Sequence, residues 1–500
     1  MDSFQGLAYG FGVALTGQNL LACFLGCLVG TLVGVLPGIG PMGAMALLIP
    51  STFGLNPATA LIMLAGIYYG SMYGGSTTSI LVNVPGESAS VMTCVEGYQM
   101  ARKGRAGAAL AVAGVGSFVA GTMGILALMF FAPALSRVAI EFGPPEYFAI
   151  ALAGLVFLSR LGEGSALESF LMVVLGLMLS TVGMDPISGL PRFTFGQIEL
   201  GQGIEMIPVV MGLYGIGEVL TIAEQVTGIS DVIKVKLREL FPTLTEWRRS
   251  AFPMVRGGGL GFLIGLIPGP AAVISTFAAY GLEKRLARHP EEFGNGAIEG
   301  VAGPEAANNS ATAGAMVPLL ALGVPFAPAT AVLLGALMIH GVQPGPLLMT
   351  DRPDVFWGVV ASMYIGNLML LALNLPLVGV FANLLRLPQH FLMGLVLLLC
   401  LVGTYSVNNS MLDLGILVIM GVVGYILRKL RFDMAPLVLA VVLGPMLEKS
   451  LRQSLFLTRG EVLPLLSRPL TASLLLISLA GLVFPCLLRA WRRGRTAKIS

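Results

Sequence analysis

Charge is what this sequence lacks most. Only 11% of its 500 residues are Asp, Glu, Lys or Arg, and the 84 positions between Asp2 and Glu87 contain none of them. A soluble domain carries roughly a quarter charged residues, so a soluble enzyme is excluded. Histidine and cysteine are scarce as well. His289, His340 and His390 are remote from one another, and Cys23, Cys27, Cys94, Cys400 and Cys486 are scattered, four of them inside apolar segments. They offer no metal signature, no disulfide framework and no nucleophile with a base, so neither catalysis nor a cofactor is expected. Cys23 and Cys27 share a helix face, but with no histidine near them they read as packing. A basic n-region and a small-residue cleavage site are also missing from the N-terminus, so the first apolar segment is expected to stay in the mature chain.

What is present is lipid-compatible surface: 56% hydrophobic residues and a mean hydropathy of +0.86. Uncharged runs cover 106–136, 257–282, 306–350, 355–385, 387–412 and 469–488. With about 20 apolar residues to a span, the chain is expected to be an all-α polytopic membrane protein of roughly ten to twelve segments. Basic residues mark the cytoplasmic ends of short loops. They cluster at Arg102, Lys103 and Arg105, at Lys234, Lys236, Arg238, Arg248, Arg249 and Arg256, at Lys284, Arg285 and Arg288, and at Arg428, Lys429 and Arg431. A tail with Arg489, Arg492, Arg493, Arg495 and Lys498 places the C-terminus in the cytoplasm. Such short clusters between apolar stretches exclude a nucleic-acid surface. The expected organisation is a first membrane repeat over 1–224, a cytoplasmic linker over 225–256, a second repeat over 257–465, and a terminal helix with its tail over 466–500.

The two halves share a pattern. Gly26, Gly30, Gly34, Pro37 and Gly38 recur at an offset of 231 as Gly257, Gly261, Gly265, Pro268 and Gly269. Gly74, Val84 and Pro85 recur at an offset of 240 as Gly314, Val324 and Pro325. Small residues at i, i+4 also serve ordinary packing between membrane helices, but that reading leaves the shared Pro-Gly unexplained. In the second copy, Arg256 precedes and Lys284 follows the uncharged run, and Pro268-Gly269-Pro270 breaks it into arms of 11 and 12 residues. Each arm is about 17 Å long, too short for a hydrocarbon core of about 30 Å. A re-entrant hairpin that turns near mid-membrane satisfies both limits, and backbone at that depth must face protein or a watery cavity. The first copy has its tip at Leu36–Pro41 and is expected to open to the opposite face. The result is a pair of inverted repeats with substrate between them; two full spans kinked at proline are the competing arrangement.

Polar residues concentrate beside these tips, in Gly70–Ser79 and Pro304–Thr312. Buried Asn is costly unless paired, so the doublet Asn308-Asn309 points to a lined cavity. Glu305 borders its segment, where a solvated loop role and a cation role are equally open. No arginine lies in either uncharged hairpin, so a carboxylate is expected to be held by helix N-termini, hydroxyls and Asn amides. The candidate substrate-binding residues are Pro37, Gly38, Gly40, Ser76, Thr77, Thr78, Asn83, Pro268, Gly269, Asn308, Asn309, Thr312 and Pro325. Gly38, Gly269 and Asn309 are candidate sodium contacts, and sodium or a proton is the expected coupling ion. A channel, an intramembrane enzyme and a structural scaffold are the rival functions.

The sequence resembles the large membrane subunit, TctA type, of the tripartite tricarboxylate transporter family. The likeness is carried by Gly34–Gly40, Tyr68–Ser76, Asn83-Val84-Pro85-Gly86-Glu87, Gly97-Tyr98 leading to Gly104–Gly107, and Glu299–Asn309. The resemblance implies a bacterial inner-membrane permease that works with a small membrane subunit (TctB type) and a periplasmic solute-binding protein (TctC type), importing carboxylates on a cation gradient. Pro-Gly-Pro-Ala at the second tip and Phe326 after Val324-Pro325 depart from the pattern and bear on substrate choice. If the second hairpin is re-entrant, cysteine labelling at positions 256 and 284 should report the same side of the membrane; opposite sides would remove the proposed pocket.

Overall fold

The computed structural model describes residues 2–36, 40–161, 165–185, 187–224, 233, 240–384, 389–461 and 466–480. It is predominantly helical, as a chain must be where backbone polar groups have no water to bond. The helices of the first half are α1 (Ser3–Ala14), α2 (Gly17–Val35), α3 (Gly40–Leu48), α4 (Pro57–Val82), α5 (Val91–Met100), α6 (Ala106–Ala139), α7 (Pro144–Leu161), α8 (Ala166–Ser180), α9 (Met206–Val210) and α10 (Gly217–Glu224). Those that follow are α11 (Leu244–Gly265), α12 (Ala271–Leu286), α13 (Glu299–Leu322), α14 (Pro328–Ile339), α15 (Leu348–Asp351), α16 (Pro353–Asn374), α17 (Val378–Leu384), α18 (Gln389–Asn408), α19 (Met411–Lys429) and α20 (Ala435–Leu457). Among the described residues, five helical stretches are long and apolar enough to cross a membrane: Gly17–Val35, Ser88–Ala139, Met206–Glu224, Pro353–Asn374 and Met411–Lys429. The all-α polytopic expectation holds.

Two units are distinct. One comprises Met1–Ala139, Ile207–Ile267 and Ala271–Arg428; the other gathers Ile140–Met206, Pro268–Pro270 and Lys429–Ser500. In the second unit, α20 packs on α7 and α8. A short strand pair, Gly183–Met184 with Pro191–Arg192, is fixed there by charges. Asp185 accepts from the Ser188 and Ile187 N–H groups at 2.9 Å each and pairs with Arg452 at 2.9 Å. Those backbone donors, with Arg452 beside them, hold its carboxyl well below the usual carboxylate range.

The first unit is built on two glycine-faced helix pairs. On α2, a Cβ at Gly26, Gly30 or Gly34 would run into the carbonyl of Met63, Ile67 or Ser71 on α4. On α11, a Cβ at Gly257, Gly261 or Gly265 would run into the carbonyl of Gly303, Ala307 or Ala311 on α13. Gly74 lies against the Thr31 carbonyl just as Gly314 lies against that of Phe262. These contacts match at an offset of 231 on one helix and 240 on the other, the two offsets of the sequence pattern. Both polar helices also end alike: Asn83 (φ 60°) closes α4, and Gly323 (φ 70°) closes α13. Small residues therefore serve close backbone approach in both halves.

The third helix of each half then packs on the other half's pair. After following α4 in the chain, α6 packs on α13 and α11, whereas α16 follows α13 and packs on α4 and α2. Likewise α12 lies against α5, and α14 against α3.

The chain breaks at both expected tips, since α2 ends at Val35 with α3 beginning at Gly40, and α11 ends at Gly265 with α12 beginning at Ala271. The arms differ from expectation in length. A capping box of Thr243 and Glu246 starts α11 at Leu244, inside the expected linker, so the helix contains Arg248, Arg249 and Arg256. At 22 residues it is about 33 Å long, and the short-arm argument holds only for its uncharged part. The return arm of the first pair, α3, is only nine residues long.

Charged side chains tie the base of the second pair together. Arg256 of α11 grips Glu283 of α12, with Nε at 2.9 Å, so the arms are antiparallel and their charged ends adjacent. Arg249 pairs with Glu299 (2.7 Å) and Glu292 (2.5 Å), Lys103 donates to the Asn295 carbonyl (2.6 Å), and Arg105 pairs with Glu246. Two of the four basic clusters thus supply the ion pairs at this base. Beside them Glu96 of α5 accepts from the N–H groups of Gly294 (2.5 Å), Gly296 (2.7 Å) and Ala297 (2.9 Å) and from the Tyr280 hydroxyl (2.7 Å).

Gly261→Ala should lower stability by about 1–3 kcal/mol through overpacking. Gly259→Ala, beside which nothing lies within 4 Å, should be neutral or stabilising; thermal unfolding in detergent compares the two. Glu96→Ala should release the 290–298 segment, read as at least tenfold faster proteolysis there while cleavage elsewhere is unchanged.

Candidate functional site

The centre of the first unit is formed by α4 and α13, which are buried along nearly their whole length. A helix without an exposed face has no use for polar residues as a solvent boundary. Polar groups on these two helices are instead expected to bond inside the protein, which makes any that do not informative.

Glu305 stands on α13 with 1% of its surface exposed. Its carboxylate accepts from the Ser76 hydroxyl of α4 at 2.6 Å and from the Thr93 hydroxyl of α5. Among the described residues it forms no salt bridge. One turn further, the Asn308 amide donates to Glu87 Oε1 at 2.8 Å, leaving Asn308 Oδ1 buried and unpartnered. Glu87 is delivered by the bend after α4. There Gly86 is wedged against the backbones of Gly34 and Gly75, leaving no room for a Cβ. Ser90 links that bend back to α4, donating to the Glu87 carbonyl (2.8 Å) and accepting from Ser79 (2.9 Å).

Asn309 donates to the Ser117 hydroxyl of α6 at 2.7 Å and to the Glu305 carbonyl at 3.1 Å. On the other side Tyr73 donates to Asn367 Oδ1 (2.7 Å), and Asn367 in turn donates to the Phe118 carbonyl (2.8 Å) and Thr122 (3.1 Å). The polar seam therefore runs through α4, α5, α6, α13 and α16. A cavity of about 20 Å³ opens within it, lined by Tyr73, Ser76, Thr77, Ser117, Asn374 and apolar neighbours. It has room for one particle the size of water, far below the volume of an organic anion.

The structure brings some of the sequence-derived candidates together and separates others. Ser76, Asn308 and Asn309 bond within the seam, and Thr77 lines the cavity. Thr78 donates to the Val35 carbonyl at 2.5 Å, fastening the end of α2, and Thr312 bonds the Asn309 carbonyl of its own helix at 2.6 Å. Asn83 is exposed and acts as the left-handed terminator of α4, and Pro325 is buried just beyond the end of α13. Gly40, at φ 63°, opens α3. Pro268 and Gly269 group with the other unit, whereas Pro37 and Gly38 lie outside the described residues.

Sequence reasoning missed Glu87, Thr93, Ser117, Asn367 and Asn374. It placed Glu305 at the border of its segment, where the structure buries it. The signal available was Glu87-x-x-Ser90, a capping pattern in which Ser90 bonds the Glu87 backbone and closes the turn that carries the glutamate. Cys23 and Cys27 pack toward the Ser362 and Gly366 carbonyls on α16, at 3.6 and 3.7 Å.

The family model described as "Tripartite tricarboxylate transporter TctA family" matches residues 20–439. Two proteins of Agrobacterium vitis are similar to the chain. An uncharacterized 52.8 kDa protein in the TAR-I ttuC' 3'region is 46% identical over 487 residues, 97% of either chain. An uncharacterized protein in the TAR-II ttuC' 3'region is 43% identical over 227 residues, 45% of this chain and 94% of its own. No solved structure matches.

Proposed function

The chain belongs to the tripartite tricarboxylate transporter TctA family, and on that premise we propose that it is the large permease subunit of a binding-protein-dependent importer of small organic carboxylates. In this reading it works in a bacterial inner membrane, with a small membrane subunit of the TctB type and a periplasmic binding protein of the TctC type. A sodium or proton gradient drives it. The two helix pairs are inverted repeats, and the polar seam at their junction is the translocation site.

The observation that carries this reading is Glu305, a carboxylate buried in the centre of the first unit and held, among the described residues, by hydroxyls from α4 and α5. An ionisable group at such a position is expensive in a membrane protein and belongs to a substrate or ion pathway. The starts of α3 and α12, each just after a Pro-Gly tip, supply backbone N–H groups suited to a carboxylate. The 20 Å³ cavity admits no organic anion, so α4 and α13 must separate from α6 and α16 during the cycle. This favours a carrier over a channel, which needs an open polar path.

Proteoliposomes containing the permease and its small subunit, supplied with the matched binding protein, should take up carboxylates saturably and only with a sodium or proton gradient. Glu305→Gln, Asn309→Ala and Gly269→Leu should each cut uptake at least tenfold while membrane insertion is preserved. Wild-type rates in all three would refute the site, and gradient-independent flux would favour the channel.

A further inference from the structure

The small cavity beside Ser76 gathers five oxygen-bearing side chains within an otherwise apolar wall. Tyr73 spends its proton on Asn367, and Ser76 spends its proton on Glu305, so each hydroxyl oxygen has only lone pairs left to offer. Asn374 contributes a third acceptor. Its Nδ2 faces the Leu370 carbonyl (2.9 Å), which can only accept, and this fixes the amide orientation and leaves Oδ1 buried with no partner. Asn374 is only 7% exposed. Thr77 and Ser117 add two hydroxyl oxygens, and Leu110, Ala113, Gly114 and Leu375 close the rest of the wall. Spent hydroxyls and an unmet amide oxygen, with the Glu305 carboxylate one hydrogen bond behind them and in no salt bridge among the described residues, suit a particle that brings positive charge.

We propose that this cavity, formed by Tyr73, Ser76, Thr77, Ser117 and Asn374, binds one dehydrated sodium ion, with Glu305 supplying the compensating charge one hydrogen bond behind Ser76. The assignment rests on the transporter reading and names the ion's place within it. Size and charge select the ion. About 20 Å³ holds one water-sized particle, which leaves no room for the waters that magnesium retains. Calcium takes six to eight oxygens and several carboxylates, whereas this cavity has a single carboxylate behind it. The neutral oxygens solvate the ion and Glu305 balances it, so the loaded site carries no net charge through the membrane. Because Ser76 comes from α4, Ser117 from α6 and Asn374 from α16, the ion clamps together helices from both halves.

The test uses the purified full-length protein in detergent, without carboxylate, melted across a sodium chloride series with choline chloride holding ionic strength constant. Sodium should raise the melting temperature saturably, and potassium at equal concentration should not. Asn374→Leu and the shape-conserving Thr77→Val should each shift the half-saturating sodium concentration upward at least tenfold, as should Glu305→Gln. If Asn374→Leu does not fold, Thr77→Val carries the test. Equal melting in sodium and choline for the wild type would overturn the site, as would unchanged half-saturation in the folded variants. A sodium-specific shift in a protein that transports no carboxylate would leave the ion site standing and sink the transport reading instead.

Discussion

Enclosure of α4 and α13 is the constraint from which the rest follows. A polar side chain facing water needs no partner; one sealed inside a membrane protein must find it among its neighbours or pay a heavy desolvation penalty. The glycine registers of α2 on α4 and α11 on α13 bring backbones into direct contact and leave no room for solvent along those faces. The hydroxyls, amides and carboxylates of both helices are thereby driven toward each other and toward α5, α6 and α16. Close packing and the polar seam are one feature seen from two sides.

The part of this arrangement legible in the sequence was the part that repeats. Glycines at i, i+4 followed by Pro-Gly announced two broken helix pairs, and the two offsets recur as the same backbone contacts. The polar stretches of α4 and α13 were visible because hydroxyls and Asn stand where lipid-facing helices carry Leu or Val. The start of α11 was also written in the chain, in the capping box of Thr243 and Glu246, but reading basic clusters as cytoplasmic loops masked it by making the arginines look like loop.

What stayed hidden was the pairing between halves. Ser76 with Glu305, Asn308 with Glu87, and Asn309 with Ser117 join residues roughly two hundred positions apart. No local period encodes such contacts. They follow from α4, α5 and α6 all packing against α13, a choice made by three-dimensional fit. Asn83 shows a second role the motif did not announce: its left-handed backbone ends α4.

This exchange of third helices has a cost during synthesis. When α6 leaves the ribosome, the surface it will bury is still encoded in message, because the ~160 residues separating Ala139 from Glu299 must be made before α13 exists. At about 5–20 residues per second that wait lasts on the order of ten to thirty seconds. Throughout it Ser117 faces lipid or the insertion machinery without Asn309. A fragment ending after the first half would be stranded in that half-clasped state, so quality control has a natural substrate in every truncated copy.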